Sequence, residues 1–233
     1  GRLMIVEIGA GRNVRFARYS RVVAVMANLG WAAAVVLVIG SPSYAAENLI
    51  DRFAKLSCAV VHLAAGNSSG TGFFIDSQGD ILTASHVVID RAFAPQGDSF
   101  HPVLSPKGTI TATQADGHVR GVTSLSPTER DSANALKDLM ILHTGEPSPC
   151  FLRLGNSASL QIGQHLIAIG FPGTTPSGVL YEGFLSTRPM VMHDLGPILG
   201  YGGQSYKISY DVLRVQMPIT EGASGSPLID DNN

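Results

Sequence analysis

The sequence predicts an all-β protein, on two observations about residues 56–233. Short β-branched and apolar runs recur there at close spacing, separated by Gly, Pro, Asn, Asp and Ser. No helical stripe of ten or more residues appears after residue 55, apart from a helical lead-in near residues 46–56. Many short strands without helices between them predict a β-sandwich or antiparallel barrels.

The apolar runs define the individual elements in chain order. The predicted strands are residues 58–63, 71–75, 80–83, 109–113, 118–123, 139–143, 165–169, 179–186, 206–215 and 227–229. The predicted turns are residues 67–70, 77–79 and 171–174. Residues 90–107 and 124–137 are predicted as long loops, which in compact domains are often functional.

Composition excludes several other classes of protein. The 233 residues are 45% hydrophobic and 15% charged, with a formal net charge of −2. Collagen-like, coiled-coil and disordered chains are excluded, because there is no period-three glycine, no sustained heptad, and much Val, Ile and Leu at low charge. With 16 Lys and Arg against 18 Asp and Glu, the chain lacks the positive charge that nucleic-acid binding uses.

The N-terminal 45 residues have the pattern of an export signal. Five arginines and one acid in residues 1–21 precede an apolar stretch at residues 22–39, and Ser43 and Ala45 provide small residues for cleavage after Ala45. Residues 1–45 are therefore predicted as a cleaved signal peptide. An uncleaved membrane anchor and a buried helix are the competing interpretations, because 18 residues nearly span a bilayer. Either export case delivers residues 46–233 to the periplasm or the extracellular space, and the anchor would hold them at the inner membrane.

The predicted exported part, residues 46–233, is acidic. It holds 11 Lys and Arg and 17 Asp and Glu, a net charge of −6, which disfavours nucleic acid as a partner further. In an oxidising compartment Cys58 and Cys150 either form a disulfide or remain two separate buried thiols. Their spacing matches no zinc motif, and neither a metal nor an organic cofactor is implied.

Three segments each place a reactive side chain beside a turn or at a strand end. His86 directly follows a predicted strand, Asp138 begins an apolar strand, and Ser224 lies between glycines in a tight loop. Acyl transfer needs this set, because a serine hydroxyl is a weak nucleophile until an imidazole takes its proton and a carboxylate orients that imidazole. Gly222 allows the loop to turn so that its own N–H and that of Ser224 converge as oxyanion donors.

Chain order distinguishes between hydrolase folds. The α/β-hydrolase elbow requires Gly-x-Ser-x-Gly with the acid and the histidine after the serine. Here Ser226 replaces the second glycine of that motif, and no histidine follows Ser224. The observed order His86, Asp138, Ser224 is that of chymotrypsin-type enzymes.

Five motifs in this order resemble the trypsin-like (chymotrypsin-fold) serine peptidases, most of all the bacterial HtrA (Deg) type. The motifs are GTGFFIDSQGDILTASHVV at residues 70–88, DLMIL at 138–142, LGNS at 154–157, GQHLIAIG at 163–170 and GASGSPL at 222–228. The resemblance covers about residues 57–230 and implies two six-stranded antiparallel barrels with the catalytic residues in the cleft between them. It implies His86 as general base, Asp138 as its orienting carboxylate, Ser224 as nucleophile, and Gly222 with Ser224 as oxyanion donors.

The chain departs from the family pattern in two places. Ser226 stands where the family usually has glycine, as in glutamyl-endopeptidase-like relatives. The family also continues with further strands after its serine loop, so the second barrel is expected to be C-terminally truncated in this chain and the domain at 46–233 to be incomplete. An unclosed barrel leaves unpaired strand edges, and we therefore expect the 233-residue chain alone to be poorly active or unstable. Residues 189–204 fall where the HtrA type has a regulatory loop.

The sequence thus favours an exported serine endopeptidase that hydrolyses peptide bonds of proteins or peptides through an acyl-enzyme. The alternative is a catalytically inactive protease-fold protein that binds or scaffolds at the membrane, since fold alone does not establish activity. A weaker alternative is a membrane adaptor in which residues 22–39 are the functional part. No oligomeric state is predicted.

Overall fold

Strands dominate the computed structural model, which describes residues 4–5, 48–96, 99–126, 138–173, 175, 177–194 and 208–231. The predicted signal peptide or anchor at residues 1–45 lies outside the described residues except for Met4 and Ile5. Residues 195–204, part of the stretch 189–204 that the resemblance implies as a regulatory loop, also lie outside them. The strands are β1 (Met4–Ile5), β2 (Val60–Ala65), β3 (Ser68–Phe74), β4 (Ile81–Ala84), β5 (Ile89–Gln96), β6 (Ser99–Pro106), β7 (Ile110–Gln114), β8 (Val119–Gly121), β9 (Ser124–Ser126), β10 (Leu139–His143), β11 (His165–Gly170), β12 (Val179–Asp194), β13 (Ile208–Gln216) and β14 (Pro227–Asp230). The helices are α1 (Leu49–Leu56) and α2 (Ser85–Val88), with 3-10 turns at Ser57–Ala59 and Ser157–Ser159.

The first sheet has seven strands in the order β8-β7-β2-β3-β4-β10-β9, and every neighbouring pair is antiparallel. Alternating apolar residues on these strands form one buried core, because successive side chains of a strand point to opposite faces. Val61 and Leu63 on β2, Ile81 on β4 and Met140 and Leu142 on β10 belong to that core. The second sheet has the order β1-β14-β11-β12-β13, antiparallel except for the parallel pair β1 and β14. The predicted all-β class with antiparallel sheets is confirmed.

The long loop predicted at residues 90–107 is wrong. Strands β5 and β6 form a separate two-stranded antiparallel hairpin, with Ile89 opposite Pro106 and Gln96 opposite Ser99. A strand with one buried face is recognised by alternating apolar residues. Residues 89–106 show little such alternation and contain three prolines, which are uncommon within strands, so the sequence did not indicate these strands. The Gly97-Asp98 pair between them is a two-residue hairpin signal that could have identified them. The hairpin begins directly after α2, the helical turn that carries His86.

Helix α1 confirms the helical lead-in and is attached to the second sheet. Asn48 caps it, since its Oδ1 accepts from the N–H of Asp51 at 2.9 Å. Leu49, Phe53 and Leu56 lie on one face and pack against the apolar cluster that contains Ile229 of β14. The buried guanidinium of Arg52 adds hydrogen bonds to the carbonyl of Asp230 at 2.6 Å and to the carboxylate of Asp231.

A disulfide links the turn after α1 to the segment between β10 and β11. Cys58, just after α1, is bonded to Cys150, with a Cα–Cα distance of 5.9 Å and a sequence separation of 92. Within the described part of the chain, no helix is long and apolar enough to cross a membrane.

Candidate active site

His86 reaches the surface because the residues around it are anchored in the first core. Strand β4 ends at Ala84, and the single helical turn α2 follows, with Val87 and Val88 buried. The His86 side chain is 46% exposed. The sequence placed His86 where the chain leaves the sheet, but four residues are too few for a helical period to be visible.

Asp138 is buried beside α2 because of the register of β10. Leu139 pairs with Ala84, so the preceding residue lies next to Ser85, whose N–H donates to the Asp138 carbonyl at 3.1 Å. Asp138 is only 4% exposed. Its φ of 67° is in the left-handed region, which non-glycine residues adopt uncommonly, although Asp is among those that do.

The Asp138 carboxylate holds both the main chain and the imidazole of His86. Oδ2 lies 2.8 Å from His86 Nδ1, while Oδ1 accepts from the His86 N–H at 3.0 Å and from the Ser85 hydroxyl at 3.0 Å. An ionised carboxylate only accepts hydrogen bonds, so this contact places the ring proton on Nδ1. The other ring nitrogen, Nε2, is then able to accept a proton. Sequence reasoning identified Asp138 and His86 but missed Ser85.

Two consecutive tight turns build the loop that carries Ser224. The Ala223 N–H donates to the Thr220 carbonyl at 3.2 Å, and the Ser226 N–H donates to the Ala223 carbonyl at 3.1 Å. Glycine occupies the third position of each turn, with φ of 92° at Gly222 and 87° at Gly225, as type II turns require. A Cβ at Gly222 would lie 2.6 Å from both the Phe171 carbonyl oxygen and the Gly173 nitrogen. The backbone path of the loop therefore requires glycine at that position.

Thr71 of β3 attaches this loop to the first sheet. Its N–H donates to the Ser224 carbonyl at 2.9 Å, and its hydroxyl donates to the Gly222 carbonyl at 2.9 Å and accepts from the Phe171 N–H at 2.8 Å. Sequence reasoning missed this role; the small residues of Gly70-Thr71-Gly72 were the signal. A Cβ at Gly70 would lie 2.7 Å from Val87 and 3.1 Å from the Ser224 carbonyl oxygen, so β3 passes between the serine loop and α2.

The geometry thus brings the segments of His86, Asp138 and Ser224 to one place. Among the described residues, the N–H groups of Gly222 and Ser224 donate to no protein acceptor, so both remain available to an incoming oxygen atom. The Ser226 hydroxyl is buried and has no hydrogen-bond partner in the described part of the molecule. In the same part of the chain, no group of three or more His, Cys, Asp or Glu could hold a metal ion.

Two other histidines have shifted pKa values with clear causes. Burial lowers the pKa of His62, whose ring packs against Phe171 with the centroids 5.8 Å apart. Burial also lowers the pKa of His165, but hydrogen bonds and charges from Asp231 and Glu182 outweigh it, so the net pKa is raised. His165 joins β11, β12 and the end of β14, and it is not part of the His86 cluster.

Comparison with known proteins places this geometry in a family. The model of the trypsin-like peptidase domain matches residues 70–233. The putative protease Do-like 14 of Arabidopsis thaliana is 30% identical over 195 residues, which are 79% of this chain and 40% of that protein. The mitochondrial serine protease HTRA2 of Drosophila ananassae is 27% identical over 163 residues, which are 70% of this chain and 32% of that protein. The chain thus spans less than half the length of either relative.

A solved structure shows the same fold. The Rv3671c protease of Mycobacterium tuberculosis in an inactive form superposes with a TM-score of 0.55 at 21% identity, over 77% of this chain and 76% of that one. The antiparallel sheets described above therefore correspond to trypsin-like barrels, as the motifs predict. Since the family model covers residues 70–233 and with them all three candidate residues, the chain belongs to the trypsin-like serine peptidases, with HtrA-type relatives.

Proposed function

We propose that this protein is a serine endopeptidase that cleaves peptide bonds of proteins through Ser224, His86 and Asp138. The observation that carries the proposal is the buried carboxylate of Asp138 at 2.8 Å from His86 Nδ1, next to a serine in a glycine-defined loop. A carboxylate in that position orients the imidazole and stabilises the cation that forms when the ring takes a proton.

The proposed reaction assigns one step to each group. His86 Nε2 takes the proton of the Ser224 hydroxyl as Oγ bonds to the substrate carbonyl carbon, and the N–H groups of Gly222 and Ser224 donate to the resulting oxyanion. The C–N bond then breaks, and His86 returns the proton to the leaving amine. A water molecule then attacks the carbonyl carbon of the acyl-enzyme while His86 Nε2 takes its proton. His86 returns that proton to Ser224 Oγ as the acid is released.

A fluorophosphonate probe tests this assignment on the full-length protein, because it forms a covalent bond only with an activated serine. We expect labelling of the wild type and none of Ser224→Ala. The matched control is Ser226→Ala, which removes a hydroxyl without a hydrogen-bond partner in the described residues two positions away, and which we expect to label normally. Absence of Ser224-dependent labelling in a folded protein would favour the binding or scaffold alternative.

We also propose that residues 1–45 direct residues 46–233 out of the cytoplasm. Three features support this proposal: the arginine-rich start, the apolar stretch at 22–39 and the small residues before position 46. The disulfide between Cys58 and Cys150 also supports it, because disulfides form and persist in oxidising compartments. N-terminal sequencing of the mature protein and extraction at high pH distinguish a cleaved signal from an anchor at residues 22–39. A cytoplasmic protein with residues 1–45 intact would contradict export.

A further inference from the structure

Lys107 holds a positive charge beside the catalytic histidine. The residue follows the hairpin β5–β6, and its N–H donates to the Val88 carbonyl at 3.0 Å. Its half-buried side chain turns back toward α2, where Nζ donates to the His86 carbonyl at 2.7 Å and to the Ser68 hydroxyl at 2.9 Å. Two hydrogen bonds therefore fix the ammonium group at the edge of the site.

No carboxylate of the described residues pairs with this ammonium group. Both of its acceptors, the His86 carbonyl and the Ser68 hydroxyl, are neutral, and an ammonium group has three donors. Residues 46–233 carry a net charge of −6, so carboxylates are abundant elsewhere in the domain. Lys107 thus retains a donor and a charge for a partner from outside, and its position is already ordered before that partner binds.

The Lys107 ammonium group lies close to the expected position of the scissile bond of a substrate. Ser68 precedes Gly70 by two residues on β3, and Gly70 lies against the Ser224 carbonyl. Two residues of a strand span about 6.6 Å, and an extended substrate peptide has the same rise per residue. Lys107 therefore lies within reach of a substrate side chain one to three residues from the scissile bond.

The chemistry indicates which half of the substrate passes Lys107. The acyl half is held where its carbonyl oxygen meets the N–H groups of Gly222 and Ser224. The leaving amine must contact the His86 imidazole, because it receives its proton there. Lys107 contacts His86 and not the serine loop, which places it along the leaving half.

We propose that Lys107 forms a carboxylate-binding subsite that favours acidic residues within three positions on the carboxyl side of the scissile bond. The inference rests on the proposed peptidase function and adds a preference to it. An exposed charge pair gives a modest gain, so we expect about a threefold to fivefold higher kcat/KM for a glutamate than for a glutamine substrate at low salt. The preference should decrease at high ionic strength because the pair is screened.

The experiment uses the full-length protein and peptides that are identical except for Glu or Gln at the first, second or third position after the cut. The wild type should prefer Glu at one of these positions, Lys107→Gln should lose that preference, and Lys107→Arg should retain it. Because Lys107 also contacts His86, the readout is the Glu/Gln ratio of kcat/KM within each variant, which a loss of rate common to both peptides does not change. Lys55→Gln, which removes a lysine of α1, is the matched control and should leave the ratio unchanged.

Two outcomes would overturn the proposal. One is a wild type that does not prefer Glu at any of the three positions. The other is an unchanged Glu/Gln ratio in Lys107→Gln, including an equal loss of rate for both peptides, which would mean that Lys107 only holds the hairpin in place. Fluorophosphonate labelling of the same samples separates these outcomes from failure of the peptidase function. If Ser224 is labelled and the Gln peptides are cleaved, the result concerns Lys107 alone.

Discussion

The Ser85 hydroxyl donates a 3.0 Å hydrogen bond to Oδ1 of Asp138, the carboxylate oxygen that does not contact the His86 ring. Ser85 is fully buried, so water cannot replace this donor. Together with the His86 N–H on the same oxygen, the hydroxyl fixes the plane of the carboxylate and leaves Oδ2 directed at the imidazole.

We therefore expect Ser85 to act as a positioning residue, which substitutions of equal shape can test. Ser85→Val should lower kcat by about tenfold, the effect of losing a hydrogen bond to a charged group, and should leave KM nearly unchanged. Threonine has the same shape as valine but keeps the hydroxyl, so Ser85→Thr should retain most of the activity that Ser85→Val loses. Steady-state kinetics on one peptide substrate measures both parameters, and equal losses in the two variants would mean that only packing matters.

Gly222→Ala should lower activity strongly, because it displaces the serine loop. The added Cβ would lie 2.6 Å from the Phe171 carbonyl oxygen and the Gly173 nitrogen, so the N–H of residue 222 could not keep its direction. Losing one oxyanion donor costs about 100-fold to 1000-fold in kcat. Gly163→Ala is the matched control, because Gly163 has a φ of 85° but a methyl group added there would have nothing within 4 Å of it. It shares the backbone strain without the clash and should retain activity.

Removing the disulfide should destabilise the fold and leave the chemistry intact. Cys58 and Cys150 are separated by 92 residues, and closing a loop of that length restricts the unfolded chain strongly. The double variant Cys58→Ala, Cys150→Ala should lose about 2–5 kcal/mol of unfolding free energy, measured by urea denaturation. Reduction of the wild type with dithiothreitol should cause a similar loss, and dithiothreitol should not affect the double variant. Unchanged midpoints in both tests would contradict this prediction.

His165 should make stability depend on pH in one direction. Its ring nitrogens lie 2.8 Å from Asp231 Oδ1 and 2.8 Å from Glu182 Oε1, and Arg52 shares the Asp231 carboxylate. Because the folded pKa is raised above the ordinary 6.5, its stabilising contribution is complete below that value and is lost as pH rises through the raised pKa. Relative to His165→Gln, the wild type should therefore be most stabilised at acid pH.

His62 provides the contrast for this pH experiment. Burial lowers its pKa below 6.5, so protonation opposes folding, and stability is lost as pH falls below 6.5 toward the lowered pKa. His62→Gln should therefore raise the free energy of unfolding at acid pH relative to the wild type, whereas His165→Gln should lower it. Urea unfolding of both variants from about pH 5 to about pH 8 checks the two signs. Parallel pH curves for the two variants would contradict the assignment.

The sequence was sufficient for features that depend on local pattern. The alternation of apolar residues identified most strands, including β10 and β11 with nearly their observed bounds, because a strand with one buried face imposes that period. The spacing of His86, Asp138 and Ser224, together with the glycines of the serine loop, located the candidate site. Hairpin β5–β6 escaped because its strands form a separate sheet and do not show the pattern of a face buried in a core.

What brings the candidate groups together was decided only by tertiary structure. The sequence placed Asp138 at a strand head, but the register of β10 against β4 set it beside Ser85 and the His86 ring. The small residues around Thr71 indicate a close approach of another segment but do not identify the serine loop as its partner, and no local pattern marks Lys107 as a contact of His86. These contacts join residues that are 21 to 151 positions apart. Local preferences fix which residues form strands and turns, whereas such distant pairs form only when the packing of whole sheets brings them within hydrogen-bonding distance.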